Sequence, residues 1–350
     1  MSENADVGGR SNEDNGGPRR LRRVLIALGA TVLVALLVAG GAGWYITERY
    51  AGNLARVDNV FTDLDDADRP AASAAADSGG APLTFLIVGS DTRADVAPGG
   101  LPDGRSDVMM LLRFTGDRAH AQVVSLPRDS WVTIPGVGTA KLNAAYAYGG
   151  PGLLVQTVES LTGVRIDHYA AIDFQGFVRM TDALGGVDVQ VATTTTTGSY
   201  TYHAGLNTLD GEAALHYVRQ RHELPGGDID RAKRQQQFLR SMFTKLAEQD
   251  VLGDTAALDG FLLGLTSAMS VDEDLSTTAL LELAYELKSL RPAAVTFLTA
   301  PVAGTGQEGA QSVVYLDRAR SELMWGYLRS DSLGEHTDAF SQDTLPEVPN

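Results

Sequence analysis

Val24–Ile46 (VLIALGATVLVALLVAGGAGWYI) is a run of 23 residues without a charged side chain, and it divides this chain into two unequal parts. A helix of that length reaches about 34 Å, enough to cross a hydrocarbon core of about 30 Å. Thr31 is its one conventional polar side chain, and Trp44 and Tyr45 fall at its far end, where amphipathic rings favour a membrane interface. The basic run RRLRR (Arg19–Arg23) precedes it, so the positive-inside rule leaves the N-terminus in the cytoplasm and everything after Ile46 outside. The competing reading is a cleaved signal peptide, because small residues occur at Ala39–Ala42; the run is long for that role and lacks a clean small-x-small site. The expected organisation is a disordered cytoplasmic tail over 1–23, one transmembrane helix over 24–46, an extracytoplasmic stalk over 47–81, a globular domain over 82–330 and a flexible tail over 331–350.

The acidic balance excludes general nucleic-acid binding, which needs a broad basic surface: net charge is −16 over 350 residues. The absence of cysteine removes disulfides, thiolate nucleophiles and Cys-ligated zinc together. Beyond the stalk, apolar runs suited to buried strands (Leu83–Ser90, Asp107–Phe114, Ala121–Leu126) give way to helical spacing over Lys141–Tyr148 and Gly152–Gly163. A strand at HYAAIDF, a helix at FQGFVRMTDALGG and a strand at VDVQV follow, and Thr193–Gly198 reads as a hairpin arm. Further helices are expected near 254–268 and 275–290, then strands in AAVTFLTAP and SVVYL and a last helix through RSELMWGYL. This alternation predicts an α/β fold with a central sheet flanked by helices.

There is no Gly-x-Ser-x-Gly elbow, Walker A loop, dinucleotide fingerprint or His-Glu-x-x-His pair. His168 reads as a structural residue. What remains is a set of Asp and Arg residues at element ends: Asp91 and Arg93 in VGSDTR, Arg105 and Asp107 in GRSDVMM, Arg128 and Asp129 in SLPRDS, and Lys141 in KLNAAYAYGG. Open α/β sheets place their sites at such strand ends. Asp91 and Asp107 amid arginines suit Mg²⁺ (or Mn²⁺), which takes one or two protein carboxylates and fills its shell with water and phosphate. Surface salt bridges are the competing reading for any single pair.

Helical phase favours a site. In RQRHELPGGDIDRAKRQQQ (Arg219–Gln237), Asp230 looks like the N-cap of a helix running to about Glu248. Its apolar stripe, Phe238, Leu239, Met242, Phe243 and Leu246, extends back onto Gln235, Arg234 and Arg231. Buried arginines need anionic partners, and a phosphate bound through a planar fork is one. Arg219 and Arg221 end the preceding helix and Asp228 is placed to orient one of these guanidiniums; Arg234, at the stripe's edge, is expected to pair with Asp230.

These blocks, in this order, resemble the LytR-CpsA-Psr family, densely over Leu83–Phe243. The resemblance implies α-β-α layers around a central mixed β-sheet behind one N-terminal transmembrane helix. It implies an extracytoplasmic phosphotransferase in the cell membrane. That enzyme moves a glycopolymer with its proximal phosphate from a polyprenyl-pyrophosphate carrier to the C6 hydroxyl of N-acetylmuramic acid in peptidoglycan. Carried over by motif, Asp91 and Asp107 hold the metal, with Asp91, Arg128, Arg219 and Arg231 catalytic. Arg93, Arg105, Lys141, Arg221, Asp228 and Gln235 are placed around the pyrophosphate. The implied partners are the lipid-linked glycopolymer, the peptidoglycan acceptor and the membrane, with no nucleic acid. The general base is open, Asp91 or a nearby Arg being candidates. Two alternatives stand beside this: a polyprenyl-pyrophosphate phosphatase using water as acceptor, and a non-enzymatic membrane-anchored cell-wall regulator.

Overall fold

Apolar residues on both faces of successive strands require cover on both sides, and the fold supplies it. The structure is a computed structural model that describes residues 49–50, 53–73, 80–90, 106–248 and 255–350. The expected cytoplasmic tail and transmembrane helix lie outside the described residues. Among the described residues no helix is long and apolar enough to cross a membrane.

In chain order the elements are β1 (Ala55–Val57), β2 (Leu83–Ser90), β3 (Ser106–Phe114), β4 (Ala121–Ser125), β5 (Trp131–Ile134), β6 (Gly138–Lys141), α1 (Leu142–Thr162), β7 (His168–Asp173), α2 (Phe174–Ala183) and β8 (Val187–Val191). Then come β9 (Thr195–Thr197), β10 (Tyr200–Tyr202), β11 (Gly205–Leu209), α3 (Gly211–Arg219), α4 (Asp228–Glu248), α5 (Thr255–Ala268), β12 (Met269–Asp272), α6 (Thr277–Glu286), β13 (Val295–Thr299), β14 (Val302–Glu308), β15 (Gln311–Leu316) and α7 (Arg318–Arg329). Seven strands form the central mixed sheet in the order β1-β12-β7-β2-β3-β4-β13. One face packs Leu86, Val88, Met109 and Val124 against Leu154 and Val158 of α1 and Trp325 and Leu328 of α7. On the other face Phe85, Phe114 and Ala170 pack with Leu275 and Leu290. A second apolar cluster joins Val187, Val189, Tyr202, Tyr217 and Phe238 beside it.

The α1 segment is two helical stretches, as expected, joined across a non-helical break at Gly149 and Gly150, where Gly150 takes φ +64° and Pro151 opens the second stretch. VDVQV forms a strand that pairs with β11 in a separate ladder rather than in the central sheet. Six short strands escaped the sequence pattern: β5 and β6, which form a hairpin, β1 and β12, which pair with each other, β12 also with β7, β11, which pairs with β8, and β14, which pairs with β15.

Two boundaries need correction. Within the expected stalk, residues 53–73 pack onto the domain: β1 edges the sheet, Val60 is buried, and Arg69 holds Glu159 at 2.8 Å. The expected flexible tail over 331–350 is likewise docked. Phe340 is fully buried, and the Leu345 amide donates to the Phe297 carbonyl at 2.9 Å. A few apolar anchors in a polar stretch suffice when each lands in a preformed core, and window-averaged composition does not register them.

Candidate functional site

Strands β2, β4 and β7 run in one direction and antiparallel β3 runs against them, so three carboxyl ends and the amino end of β3 meet at one edge. The β2–β3 ladder shifts register at Gly89/Ser90 as it reaches that edge. Gly89 is required there, because a Cβ would stand 2.9 Å from Val108 Cγ2. The loop after β4 is tied down by backbone bonds: the Leu142 amide donates to the Ser130 carbonyl at 2.8 Å and the Asn143 amide to the Arg128 carbonyl at 3.0 Å. The amino end of α1 therefore fixes Arg128 and Asp129. Helix α4 begins at Asp228 rather than after an N-cap at Asp230; Asp230 sits in its first turn and accepts from the Gly226 amide at 2.8 Å.

Six charged side chains interlock at this edge. Arg128 bonds Asp107 through Nη1 and lies 3.4 Å from Asp228 Oδ2 and 3.7 Å from Asp129 Oδ2 through Nε. Lys141 Nζ is 3.0 Å from Asp129 Oδ1, and Arg231 Nη2 is 3.3 Å from Asp228 Oδ2. Three cations thus balance three carboxylates. Asp228 orients a guanidinium as expected, and in fact two: it stands between Arg128 and Arg231 and gives Arg231 a protein counter-ion. The Nε of Arg128 and Oδ2 of Asp228 are buried yet make no hydrogen bond among the described residues, so this network keeps unmet polar capacity.

The two inner carboxylates are driven apart. Burial, reinforced by the neighbouring Asp228, pushes Asp129 above the usual carboxylate range, against the opposing pull of Lys141 and Arg128. Burial works against ionised Asp228 too, but Asp129, Arg231, Arg128 and Arg221 outweigh it and hold it low. Neighbouring carboxylates pushed in opposite directions divide into a proton holder and a fixed charge.

Beside the network lies an apolar cavity. Val88, Met110, Ile172, Phe174, Phe177 and Phe238 form much of its wall, and Asp107, Arg219, Arg231 and Gln235 reach its rim. Arg219 stacks on Phe174, its Cζ 4.5 Å from the ring centroid. Gln235 donates to the Val218 carbonyl at 3.1 Å and so secures α4 against α3.

The structure therefore assembles Asp107, Arg128, Lys141, Asp228 and Arg231 into one network. Arg219 and Gln235 sit on the adjoining rim, and exposed Arg221 is near enough to help lower Asp228. Asp91, Arg93 and Arg105 lie outside the described residues. Asp129 is the member that sequence reasoning named but assigned no role; its position directly after Arg128 was the available signal. His168 is structural as expected, facing the buried Asp272 carboxylate at 3.2 Å. Gln236 and Gln237 were missed. Gln236 bonds Ser125 Oγ at 2.8 Å and Gln237 bonds the Gln190 carbonyl at 2.6 Å, so the polar start of α4 is riveted to two sheets.

Arg234 departs from expectation. It pairs with no carboxylate on its own helix; Asp230 faces Lys233 at 3.3 Å instead. Fully buried, Arg234 donates to Gln220 Oε1 at 2.6 Å, Thr195 Oγ1 at 3.1 Å and the main-chain oxygen of Asn350 at 2.9 Å, and stacks on Tyr217. It braces the wall behind the site. Arg234→Ala is expected to destabilise the domain by about 3 kcal/mol, read from urea unfolding, because it opens a cavity and strands three acceptors.

Residues 56–329 match the profile of the LytR_cpsA_psr family. Cell wall biosynthesis protein LcpA of Corynebacterium glutamicum is 31% identical over 332 residues, covering 82% of this chain and 62% of LcpA, so the chain spans about three fifths of that relative. Polyisoprenyl-teichoic acid–peptidoglycan teichoic acid transferase TagU of Halalkalibacterium halodurans is 30% identical over 311 residues, covering 87% of this chain and 95% of TagU. The crystal structure of Bacillus subtilis TagV superposes with a TM-score of 0.59 at 26% identity, covering 72% of this chain and 97% of TagV.

Proposed function

The chain belongs to the LytR_cpsA_psr family, and on that premise we propose that it is an extracytoplasmic phosphotransferase that moves a glycopolymer from a polyprenyl-pyrophosphate carrier onto the C6 hydroxyl of N-acetylmuramic acid in peptidoglycan. One observation carries this reading: the charged network opens directly onto an apolar cavity, with Arg231 and Asp107 belonging to both. A ligand that satisfies both halves has a polyanionic head and a long hydrocarbon tail, which is the chemistry of a polyprenyl pyrophosphate.

In the proposed reaction the acceptor hydroxyl oxygen bonds to the sugar-side phosphorus as the bond from that phosphorus to the bridging oxygen breaks. Polyprenyl phosphate departs with the bridging oxygen, and a phosphodiester to peptidoglycan remains. Such transfers depend on placement and charge neutralisation more than on covalent help. Arg128 and Arg231, held by Asp107 and Asp228, present preoriented forks to the phosphoryl oxygens. Arg219 and Arg221, exposed at the end of α3, add the net positive charge that the balanced network lacks. We assign the acceptor proton to Asp129, the carboxylate whose environment favours holding one.

The donor atoms suit a hard cation: the network's candidate ligands are carboxylate oxygens, and neither cysteine nor histidine enters it. Asp107 would hold Mg²⁺ (or Mn²⁺), with Asp91 as its partner by motif, and the bound ion would neutralise pyrophosphate charge. Membrane anchoring through Val24–Ile46 completes the proposal, since it holds the domain at the surface where the carrier resides.

The test is a donor labelled in its sugar, incubated with the protein and soluble peptidoglycan fragments. Label is expected on the peptidoglycan. Label found free in solution at all acceptor concentrations would identify a phosphatase instead, and no release of label would defeat both.

A further inference from the structure

A transferase needs a second binding surface, and the fold offers a groove whose lining begins two residues beyond Asp129. The β5–β6 hairpin starts at Trp131, two residues after Asp129, and Trp131 stands opposite Lys141 in the antiparallel register. Directly opposed residues project from the same face, so Trp131 shares a face with the lysine that pairs with Asp129. The connection is rigid: the Val314 amide donates to the Asp129 carbonyl at 2.9 Å, and Ser130 bridges Val314.

From Trp131 a groove of about 780 Å³ runs between the hairpin, the carboxyl half of α1, β15 and α7. Trp131, Thr133, Ser160, Tyr315, Arg318 and Glu322 line it. The Tyr315 ring is pinned at two points: its hydroxyl donates to Glu308 Oε1 at 2.8 Å, and the ring lies so close over Gly306 that a Cβ there would meet Cε2 at 2.6 Å. A half-buried tryptophan and a fixed tyrosine, with hydroxyls and one charge of each sign between them, suit a ligand with apolar ring faces and hydroxyl edges. That combination describes a glycan, and the near-neutral lining excludes a polyanion as the preferred occupant. Another large pocket, around Arg69, Arg113 and Arg165, is a weaker candidate because these arginines are engaged by Glu159, Asp331 and Asp66.

We propose that this groove binds the glycan strand of the acceptor and delivers its hydroxyl to Asp129, with Trp131 as the stacking platform nearest the reacting centre. The inference rests on the transferase reading for the identity of the reaction, but the binding itself is testable apart from it. The probe is a β-1,4-linked N-acetylglucosamine hexamer, titrated calorimetrically into the detergent-solubilised full chain. The hexamer is expected to bind at least about tenfold more tightly than the monosaccharide. Trp131→Ala should weaken hexamer binding about tenfold and Trp131→Phe should restore most of it, as expected for a central aromatic contact. In the transfer assay Trp131→Ala should raise the acceptor KM by a similar factor, with kcat changed less than about threefold. Equal hexamer affinity in wild type, Trp131→Ala and Tyr315→Ala, or no hexamer binding by a wild-type protein that does cleave the donor, would overturn the groove. A wild type that binds the hexamer through Trp131 yet never cleaves the donor would instead overturn the transferase reading and leave the glycan site standing.

Discussion

Arg231→Ala is expected to lower release of polyprenyl phosphate from a pyrophosphate-linked donor by about 10³-fold or more while the domain stays folded. The size follows from where the guanidinium stands. Arg231 is buried, faces the apolar cavity, and is held by Asp228 at 3.3 Å. A charge fixed in that surrounding needs no reorganisation when negative charge builds on the transferring phosphoryl group, and little water competes for it. The alanine variant loses the fork and frees Asp228, whose negative charge would then oppose the incoming pyrophosphate. Arg128 remains 3.4 Å from the same oxygen, so Asp228 keeps a counter-ion and the fold keeps its core. Arg231→Lys separates charge from geometry: it retains the cation but not two parallel donors, and should recover about tenfold of the loss or less. Donor turnover measured beside thermal unfolding checks both variants. Wild-type turnover in Arg231→Ala would remove this residue from the site.

Much of this site was legible because helical phase is a strong constraint. Phe238, Met242 and Leu246 report which side of α4 is buried, and four residues back per turn the same side carries Arg231, Arg234 and Gln235. Phase says which way a residue faces and is silent on what it meets. Arg231 meets Asp228 and the cavity, whereas Arg234, one turn from the site, meets Gln220, Thr195 and Asn350. Those partners lie 14, 39 and 116 positions away, and no local pattern encodes them. Short strands such as Met269–Asp272 escaped for a related reason. Four residues carry too little periodicity to announce a strand, and this one exists because β7 and β1 offer it edges. The polar ends of the domain were misjudged on composition, since one buried Val60 or Phe340 outweighs many solvated aspartates in deciding whether a segment docks.

Asp129→Asn provides the second large effect, an expected loss of about 10²- to 10³-fold in transfer with donor affinity retained. The other candidates, an arginine and the proposed metal ligand Asp91, are poorer bases by their chemistry. Arginine is protonated throughout the accessible pH range, and a metal-bound carboxylate is committed to its cation. Asp129 is pushed up by burial beside Asp228 and is aimed by Lys141 at 3.0 Å. A base of this kind works when ionised, so wild-type kcat/KM should fall as pH drops through its raised pKa, placing the acid limb above the ordinary carboxylate range. The asparagine variant has nothing to titrate there, and its residual rate should lose that limb. Unfolding would not account for the loss. A carboxylate whose folded pKa lies above its unfolded value costs stability when ionised; that cost is present above the folded pKa and is relieved as pH falls through it. At pH 7 the asparagine variant escapes the cost, which offsets the lost Lys141 contact, and it should melt close to wild type. A pH–rate profile of both proteins decides the matter: an acid limb that persists unchanged in Asp129→Asn would assign the proton to another group.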